Sequence, residues 1–272
     1  MGTPEVTHPM TCFPLFLLGG HDLEMLTIRE LLQVYAPDAF IDKRLVWGAR
    51  ASDYRPEIDR AIKNRLTPVL IELQNDLGLS PPEVIIIDHH GPLAGADAPT
   101  SLHQVFELLG LPPEAWTRRM ELVAANDRGH IQALKDIGAT GEEIAEIRAA
   151  DRATQGITPE EERQAEEALA AAVTVCGGAL TIVSIPHGRT AAVTDRFAPE
   201  LGGPGVENLL VVSPGEASFF GSGHMVALLA RRYPGGWYGG SLPERGYFGI
   251  SPSPDDFISY LQDMLCETPS QN

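Results

Sequence analysis

The chain has 272 residues, of which 43% are hydrophobic and 21% charged, and this balance is ordinary for a folded soluble protein. Lys and Arg total 20 against 37 for Asp and Glu, which gives a formal net charge of −17 at pH 7. Such an acidic chain lacks the basic surface that sequence-independent binding of duplex nucleic acid requires. A small anionic substrate remains compatible with this charge, because bound divalent metals can supply positive charge locally.

The three cysteines, Cys12, Cys176 and Cys266, lie far apart and form no Cys-x-x-Cys pair. Their spacing indicates neither a zinc knuckle nor a disulfide framework, and it favours a reducing, cytoplasmic setting. The first long apolar run, residues 13–18, is too short to cross a membrane and follows no basic segment. We therefore expect no association with a membrane.

Short apolar runs that end in polar or glycine-rich turns recur along the first 140 residues. Strands are predicted at residues 13–18, 39–41, 68–73 and 84–87. Helices are predicted at about 25–32, 55–65, 101–109, 113–125 and 132–136. Nearly continuous apolar strands that alternate with helices are typical of parallel sheets covered on both faces. Residues 1–140 are thus predicted to form an α/β domain with a doubly wound, mainly parallel sheet.

The rest of the chain has a different pattern. Residues 141–171 are rich in Glu and Ala and contain a good helix start at Thr158, so they are predicted to be a helical connector with a solvated charged face. Residues 172–272 are predicted to form a smaller α/β domain with a mixed sheet. Within it, a hairpin is predicted between residues 179–185 and 190–193. A second pair of strands is predicted at 209–212 and 217–220, before a helix at 224–233.

The most informative local pattern is Asp88-His89-His90, which directly follows the apolar strand at 84–87. In open α/β sheets, ligands bind beyond the carboxyl ends of the strands, and an aspartate with an imidazole there can bind a divalent metal. A polar turn after a buried strand is the alternative interpretation. Acidic residues near the other strand ends and in a later polar stretch favour the metal, and they are Asp22, Glu24, Glu72 and Asp127.

Each of these acids also has an ordinary explanation. Asp22 and Glu24 stand where acidic residues stabilise a helix start. Glu72 lies within an apolar strand, where Arg65 is a candidate partner, and Asp127 lies in a polar stretch that is predicted to be a loop. Taken together, oxygen ligands with some imidazole suit Mn²⁺, Mg²⁺ or Fe²⁺. Two such metals would activate a water and hold a phosphoryl group.

Arginines and a glycine-rich segment add candidate contacts to phosphate. Guanidinium binds phosphate through two hydrogen bonds, and Arg128, next to Asp127, is the candidate catalytic arginine. A surface position is the alternative for this side chain. The segment at 221–224 could hold an anion with its backbone N–H groups at a helix start, although a simple helix cap explains it equally well.

On these residues the sequence resembles the DHH phosphoesterases. This family includes manganese-dependent pyrophosphatases, single-strand exonucleases, and hydrolases of short oligonucleotides and cyclic dinucleotides. The resemblance rests on Asp88-His89-His90 after an apolar strand, with the acidic residues described above. The stretch from Arg189 to Asp195, together with Gly221-Ser222-Gly223-His224, is similar to the DHH-associated C-terminal domain.

The resemblance implies a role for each matching residue. Metal ligands would be Asp22, Glu24, Glu72, Asp88, His89 and Asp127. His90 would face the substrate phosphate as a catalytic group. Substrate would be bound by Gly221, Ser222, Gly223 and His224. Two motifs depart from the family pattern. Asp22-Leu23-Glu24 replaces the usual Asp-x-Asp of the first motif, and Glu72 replaces the usual aspartate of the second.

We therefore predict a metal-dependent hydrolase of phosphoester or phosphoanhydride bonds that uses a water activated by metal. The expected cofactor is Mn²⁺, with Mg²⁺ or Fe²⁺ as alternatives, at two ions per chain. The expected partner is a small phosphorylated substrate or a short single-stranded oligonucleotide, and a homodimer could form through an exposed strand edge. The alternative functions are a non-catalytic DHH-like nucleotide-binding or regulatory module, and a structural subunit.

Overall fold

The computed structural model describes residues 13–46, 48–90, 99–240 and 242–266. Strands in this part of the chain are β1 Pro14–Leu18, β2 Phe40–Ile41, β3 Thr67–Ile71, β4 Ile85–Ile87, β5 Val173–Val175, β6 Leu180–Ser184, β7 Leu209–Ser213, β8 Glu216–Ser222, β9 Trp237–Gly239 and β10 Arg245–Ile250. Helices are α1 Leu23–Tyr35, α2 Arg55–Lys63, α3 Ser101–Leu108, α4 Arg118–Asp136, α5 Gly141–Thr154, α6 Pro159–Ala170, α7 Ala191–Phe197, α8 Gly223–Arg232 and α9 Phe257–Cys266.

The chain divides into two compact units, each built around one sheet. The first unit takes its residues from Met1–His21, Met25–Asp88 and Ser101–Leu111. The second takes them from Asp22–Glu24, His89–Thr100 and Pro112–Asn272. The predicted fold class, an α/β chain with a mainly parallel sheet followed by a mixed sheet, is confirmed. The predicted boundaries at residues 140 and 171 stay predictions.

The first sheet has four parallel strands in the order β2-β1-β3-β4. Leu17 of β1 and Leu70 of β3 face the same side and pack with Ile58 of α2. Tyr54, just before α2, is fully buried and its hydroxyl donates to the Leu18 carbonyl at 2.7 Å. Burial raises the pKa of Tyr54 to about 12, so this hydroxyl keeps its proton and fixes the carboxyl end of β1.

The turn after β1 depends on close backbone contact at Gly19. A Cβ atom at this position would lie 2.5 Å from the carbonyl oxygens of Ile71 and Glu72. Gly19→Ala is therefore expected to lower the free energy of unfolding by about 1–3 kcal/mol, because the backbone must shift to relieve the overlap. Urea denaturation measures the change.

Gly141→Ala is the matched control, since a Cβ on Gly141 meets no atom within 4 Å at the start of α5. The control protein should unfold at or slightly above the urea concentration of the wild type. Equal midpoints for the two variants would show that the turn tolerates a side chain at Gly19.

The second sheet has six strands in the order β5-β6-β7-β8-β10-β9. Strands β6 and β7 are parallel, and the other neighbouring pairs are antiparallel. The predicted pairing of residues 209–212 with 217–220 is confirmed as β7 with β8, and the structure shows that the two strands are antiparallel. Phe219 and Phe248 are fully buried against Leu229 of α8 and Phe257 of α9. Val173 on the edge strand β5 is 56% exposed, and pairing of such an edge in a homodimer stays a prediction.

The predicted hairpin between residues 179–185 and 190–193 is wrong. Residues 180–184 form β6, but Ala192 and Val193 belong to α7 and pack into the core beside Val183 and Val211. The physical reason is that β6 and β7 run parallel, and parallel neighbours need a crossover connection, which α7 provides.

Residues 141–171 are helical, as predicted, and form α5 and α6. Thr140 and Thr158 cap the two helices, each accepting a hydrogen bond from the backbone N–H three residues on. We expected the charged residues of this segment to face solvent, but Arg148 is buried, with 1% of its surface exposed. Across the described residues, no helix combines the length and apolar character needed to cross a bilayer.

Cys176 and Cys266 form a disulfide although 90 residues separate them in sequence. The expectation that no disulfide forms is therefore wrong. The turn at residues 176–178 packs against α9, which brings the two Cα atoms to 4.5 Å. Nothing in the spacing of these cysteines signals this tertiary contact. Cys12 lies outside the described residues, and the cytoplasmic setting stays a prediction.

Closure of this 90-residue loop should stabilise the fold. Unreduced protein unfolded in guanidinium should show one reactive thiol, and reduced protein should show all three. Cys176→Ser with Cys266→Ser is expected to lower the free energy of unfolding by about 2–4 kcal/mol, because the unfolded chain regains freedom. Three thiols in the unreduced protein would contradict the bond.

Candidate metal centre

The side chains of Glu24 and Asp127, from separate parts of the chain, converge on His89. Glu24 lies in the first turn of α1, Asp127 lies within α4, and His89 follows β4 after one intervening residue. The His89 Nε2 atom is 2.6 Å from Asp127 Oδ2 and 3.4 Å from Glu24 Oε2. Since His89 is 6% exposed and Glu24 is 1% exposed, two carboxylates face one imidazole nitrogen away from bulk water.

A wider group of ligand atoms surrounds this contact. One atom each from Glu72, His89, His90 and Asp127 lies within 4.8 Å of the other three. The rings of His89 and His90 have centroids 4.3 Å apart and are tilted by 38°. Glu72 follows β3 directly with a φ of 50°, and its N–H donates to the Ile87 carbonyl at 2.8 Å. This left-handed turn takes Glu72 out of the strand in which the sequence placed it.

The charge of Asp127 is stabilised by its neighbours. Burial on its own would raise the pKa of this carboxyl group. The hydrogen bond with His89 and the field of the nearby histidines outweigh burial and hold the pKa of Asp127 below its ordinary value. Asp127 is therefore a carboxylate at neutral pH, as a ligand for a cation must be.

The donor set fits a divalent cation. Carboxylates gathered away from water need compensating positive charge, and a protonated imidazole supplies only one unit of it. Glu24, Glu72 and Asp127 bring three carboxylates toward two imidazoles. Oxygen and imidazole donors in this mixture suit Mn²⁺ and related first-row metals.

The structure corrects the predicted surroundings of Asp127. The polar stretch around it belongs to α4, although the sequence predicted a loop there. The helix is broken just afterwards, because Gly129 and His130 have non-helical backbone angles. The glycine and the polar residues that indicated a loop therefore mark this break within a longer helix.

Two other predicted ligands lie beside this cluster in sequence. Asp22 is the residue before α1, and Asp88 is the residue after β4, where its carbonyl accepts from Gln104 Nε2 at 3.2 Å. Among the described residues, the group of ligand atoms within 4.8 Å of each other includes neither of them. Arg128 is half-buried next to Asp127 on α4. The roles of these three residues stay predictions.

The predicted substrate-binding segment has a structural role in the second sheet. Ser222 caps α8 by accepting from the Met225 N–H, and its own N–H donates to Asn208 Oδ1. The Gly223 N–H donates to the Glu244 carbonyl. A Cβ atom at Gly221 would lie 2.1 Å from Asn208 Oδ1, so packing requires this glycine. His224 is exposed, and binding of substrate by residues 221–224 stays a prediction.

Sequence reasoning missed a buried polar network next to α4. Arg148 donates to Asp195 Oδ1 at 2.9 Å, to Asn126 Oδ1 at 2.8 Å and to Asp151 Oδ2 at 2.8 Å. His130 Nδ1 lies 3.2 Å from Arg148 Nη1. Arg148 stands in a charged helical stretch, and no sequence signal separates it from the exposed charges around it.

Solved structures with a similar fold include an exopolyphosphatase-related protein from Bacteroides fragilis, with a TM-score of 0.51 and 13% identity over 94% of this chain and 92% of that one. Exonuclease RecJ bound to manganese has a TM-score of 0.43 and 12% identity, over 94% of this chain and 91% of that one. RecJ in complex with Mn²⁺ from Thermus thermophilus has a TM-score of 0.49 and 13% identity, over 94% of this chain and 52% of that one.

At these identities the likeness is one of fold. The first of these structures has a TM-score above 0.5, and it supports the α/β architecture of two sheets. This likeness of fold agrees with the resemblance to DHH proteins that the sequence indicated, and it shows the fold alone. No model of a known protein family and no curated protein matches the chain.

Proposed function

We propose that the protein is a metal-dependent hydrolase of phosphoester or phosphoanhydride bonds in a small phosphorylated substrate. The observation that carries this proposal is the convergence of carboxylate and imidazole ligand atoms from Glu72, His89, His90 and Asp127 within 4.8 Å. The likeness of fold to an exopolyphosphatase-related protein supports the same class of reaction.

The residues divide into ligands and groups that face the substrate. Glu72, His89 and Asp127 would hold the first cation, and Glu24 lies next to His89. Asp22 and Asp88 are the proposed additional ligands for a second cation. A divalent metal, when bound, lowers the pKa of a coordinated water and neutralises charge on a phosphoryl group. His90 donates a hydrogen bond to the phosphoryl oxygens, and Arg128 adds positive charge beside them.

Net charge limits the size of the substrate. With a net charge of −17, the chain repels a long polyanion. A phosphorylated substrate would be attracted only by cations bound at the cluster, and salt limits this attraction to about one Debye length. We therefore expect nucleotides, cyclic dinucleotides, short single strands or short phosphoanhydrides as substrates, and no duplex.

The test is release of phosphate or mononucleotide from pyrophosphate, a dinucleotide and a cyclic dinucleotide. We expect hydrolysis of at least one of them with Mn²⁺, loss of the activity in EDTA, and recovery when Mn²⁺ is returned. Binding of a dinucleotide without turnover under every metal condition would contradict the proposal and favour the non-catalytic nucleotide-binding module. Neither binding nor turnover would favour a structural subunit.

A further inference from the structure

Helix α4 is broken directly after Asp127. Gly129 and His130 leave the helical conformation, with φ −161° and ψ 26° at the first and φ 52° and ψ −140° at the second. The ends of a helical segment leave backbone groups without helical partners, so the backbone there is held less firmly than in the middle of a helix. Asp127 therefore needs contacts from outside its own helix to keep its carboxylate at a fixed position.

Arg148 of α5 contacts α4 on both sides of this break. Its Nη1 atom donates to Asn126 Oδ1 at 2.8 Å, and the same atom lies 3.2 Å from His130 Nδ1. A guanidinium can only donate, so the Nδ1 atom of His130 accepts. Asn126 precedes Asp127 and His130 follows it. One guanidinium thus holds the short stretch of α4 that contains both Asp127 and the break.

The guanidinium is itself anchored on its other side. Its Nε atom donates to Asp195 Oδ1 of α7 at 2.9 Å, and its Nη1 atom donates to Asp151 Oδ2 of α5 at 2.8 Å. Asp195 also pairs with Arg152, which donates to Glu162 of α6 at 3.1 Å. Because Arg148 is 1% exposed, its side chain has no solvent to move into, and the planar guanidinium is held in one orientation.

Stability alone does not account for the contacts that Arg148 makes with α4. The charge of Arg148 is balanced by Asp151 and Asp195, and apolar side chains of similar volume stabilise a fold as well as a buried ion pair does. Asn126 and His130, which accepts at Nδ1, add no charge to this network. The guanidinium gives them a fixed direction, because its N–H groups lie in one rigid plane.

We infer that Arg148 is a positioning residue for the metal centre. By holding Asn126 and His130, it fixes the backbone around Asp127 so that this carboxylate faces His89 and can bind a divalent cation. All five residues belong to the second unit. The inference rests on the proposed function, and it adds to that function a residue that contributes no ligand atom.

The direction of the effect separates positioning from charge. Arg148 is positive, so electrostatics alone would make its removal strengthen the binding of Mn²⁺. If Arg148 positions Asp127, its removal weakens the binding instead. Asn126→Leu removes the contact between Arg148 and α4 with no change of charge and little change of size. It is therefore the first variant to measure.

Titration of metal-free protein with Mn²⁺, followed by the electron paramagnetic resonance signal of the free ion, measures affinity without requiring turnover. Asn126→Leu should bind Mn²⁺ about tenfold or more weakly than the wild type, as for other residues that orient metal ligands. Equal affinities would overturn the inference.

Leu229→Ala is the control for a general loss of stability. Leu229 is fully buried in the core of the second sheet with Phe219 and Phe248, so the cavity left by alanine destabilises the fold. This variant should bind Mn²⁺ as tightly as the wild type. A loss as large as that of Asn126→Leu would show that any destabilisation weakens the metal centre, and it would overturn a specific role for Arg148.

A second variant tests whether Asn126 acts through Arg148. Arg148→Met should also weaken the binding of Mn²⁺, and adding Asn126→Leu to it should weaken the binding no further, because the contact is already lost. Losses that add, or tighter binding in Arg148→Met, would overturn the inference. If Arg148→Met does not fold, Arg148→Lys takes its place, since lysine keeps the charge but lacks the planar set of donors.

The outcomes also separate this inference from the proposed function. A protein that hydrolyses pyrophosphate with Mn²⁺ but binds the ion equally well with Asn126→Leu refutes the positioning role alone. A protein whose affinity for Mn²⁺ depends on Asn126 and Arg148 but that hydrolyses nothing refutes the hydrolase alone. A wild type that binds no Mn²⁺ refutes both.

Discussion

Replacing Asp127 with asparagine is expected to lower Mn²⁺-dependent hydrolysis by at least about 100-fold. Asparagine keeps the size of the side chain but removes the negative charge that lies 2.6 Å from His89 Nε2. Residues that only support a metal ligand already contribute roughly 10–100-fold to metal affinity or activity, and a direct ligand should contribute no less. The measurement is kcat/KM across a series of Mn²⁺ concentrations.

Asp136→Asn is the matched control for this substitution. Asp136 is exposed on the same helix, α4, where it accepts a hydrogen bond from Gln132. Its substitution should leave activity unchanged. Thermal melts of both variants exclude unfolding as the cause of a loss. Full activity in Asp127→Asn at every Mn²⁺ concentration would remove Asp127 from the metal centre.

Replacing Arg148 with alanine is expected to lower the free energy of unfolding by about 3–5 kcal/mol. Arg148 is 1% exposed and donates to Asp195, Asp151 and Asn126. Removing Arg148 leaves the buried carboxylates of Asp151 and Asp195 with less compensating positive charge. Removing one partner of a buried ion pair is strongly destabilising. Guanidinium denaturation, fitted with a common slope, measures the loss.

Arg163→Ala separates this effect from the loss of any arginine. Arg163 pairs with Glu160 and Glu167 on the exposed face of α6, and such surface pairs contribute little. Its midpoint should match that of the wild type. Arg148→Met combined with Asp195→Leu should recover part of the stability that Arg148→Ala loses. Replacing both members of a buried ion pair with apolar residues costs less than leaving one member buried without its partner. An Arg148→Ala protein as stable as Arg163→Ala would contradict the network.

The first sheet could be predicted from sequence because its signals are local. The strand at residues 84–87 is a run of Val and Ile between a proline pair and Asp88-His89-His90, and both ends are visible in the chain. The same holds for the helix starts at Thr140 and Thr158, where the capping residues are near neighbours in sequence. Local patterns of this kind also identified His89 and Asp127 as candidate ligands.

The elements that sequence reasoning missed depend on contacts between distant residues. Residues 190–193 have a composition compatible with a strand, and only the parallel pairing of β6 with β7 requires a helix there. Arg148 and Asp195 are separated by 47 residues, and the two bonded cysteines by 90. In each case the deciding neighbour is fixed by the tertiary fold, so no window along the chain contains the signal.

The manganese content of the purified protein tests whether a metal centre forms at His89. Wild-type protein, His89→Ala and the control His187→Ala are dialysed against Mn²⁺, and manganese and protein are then measured by elemental analysis. We expect at least one tightly held equivalent in the wild type and in His187→Ala, and loss of manganese in His89→Ala, because His89 Nε2 faces both Asp127 and Glu24. Equal manganese in all three folded proteins, or none in the wild type, would contradict a metal centre at His89.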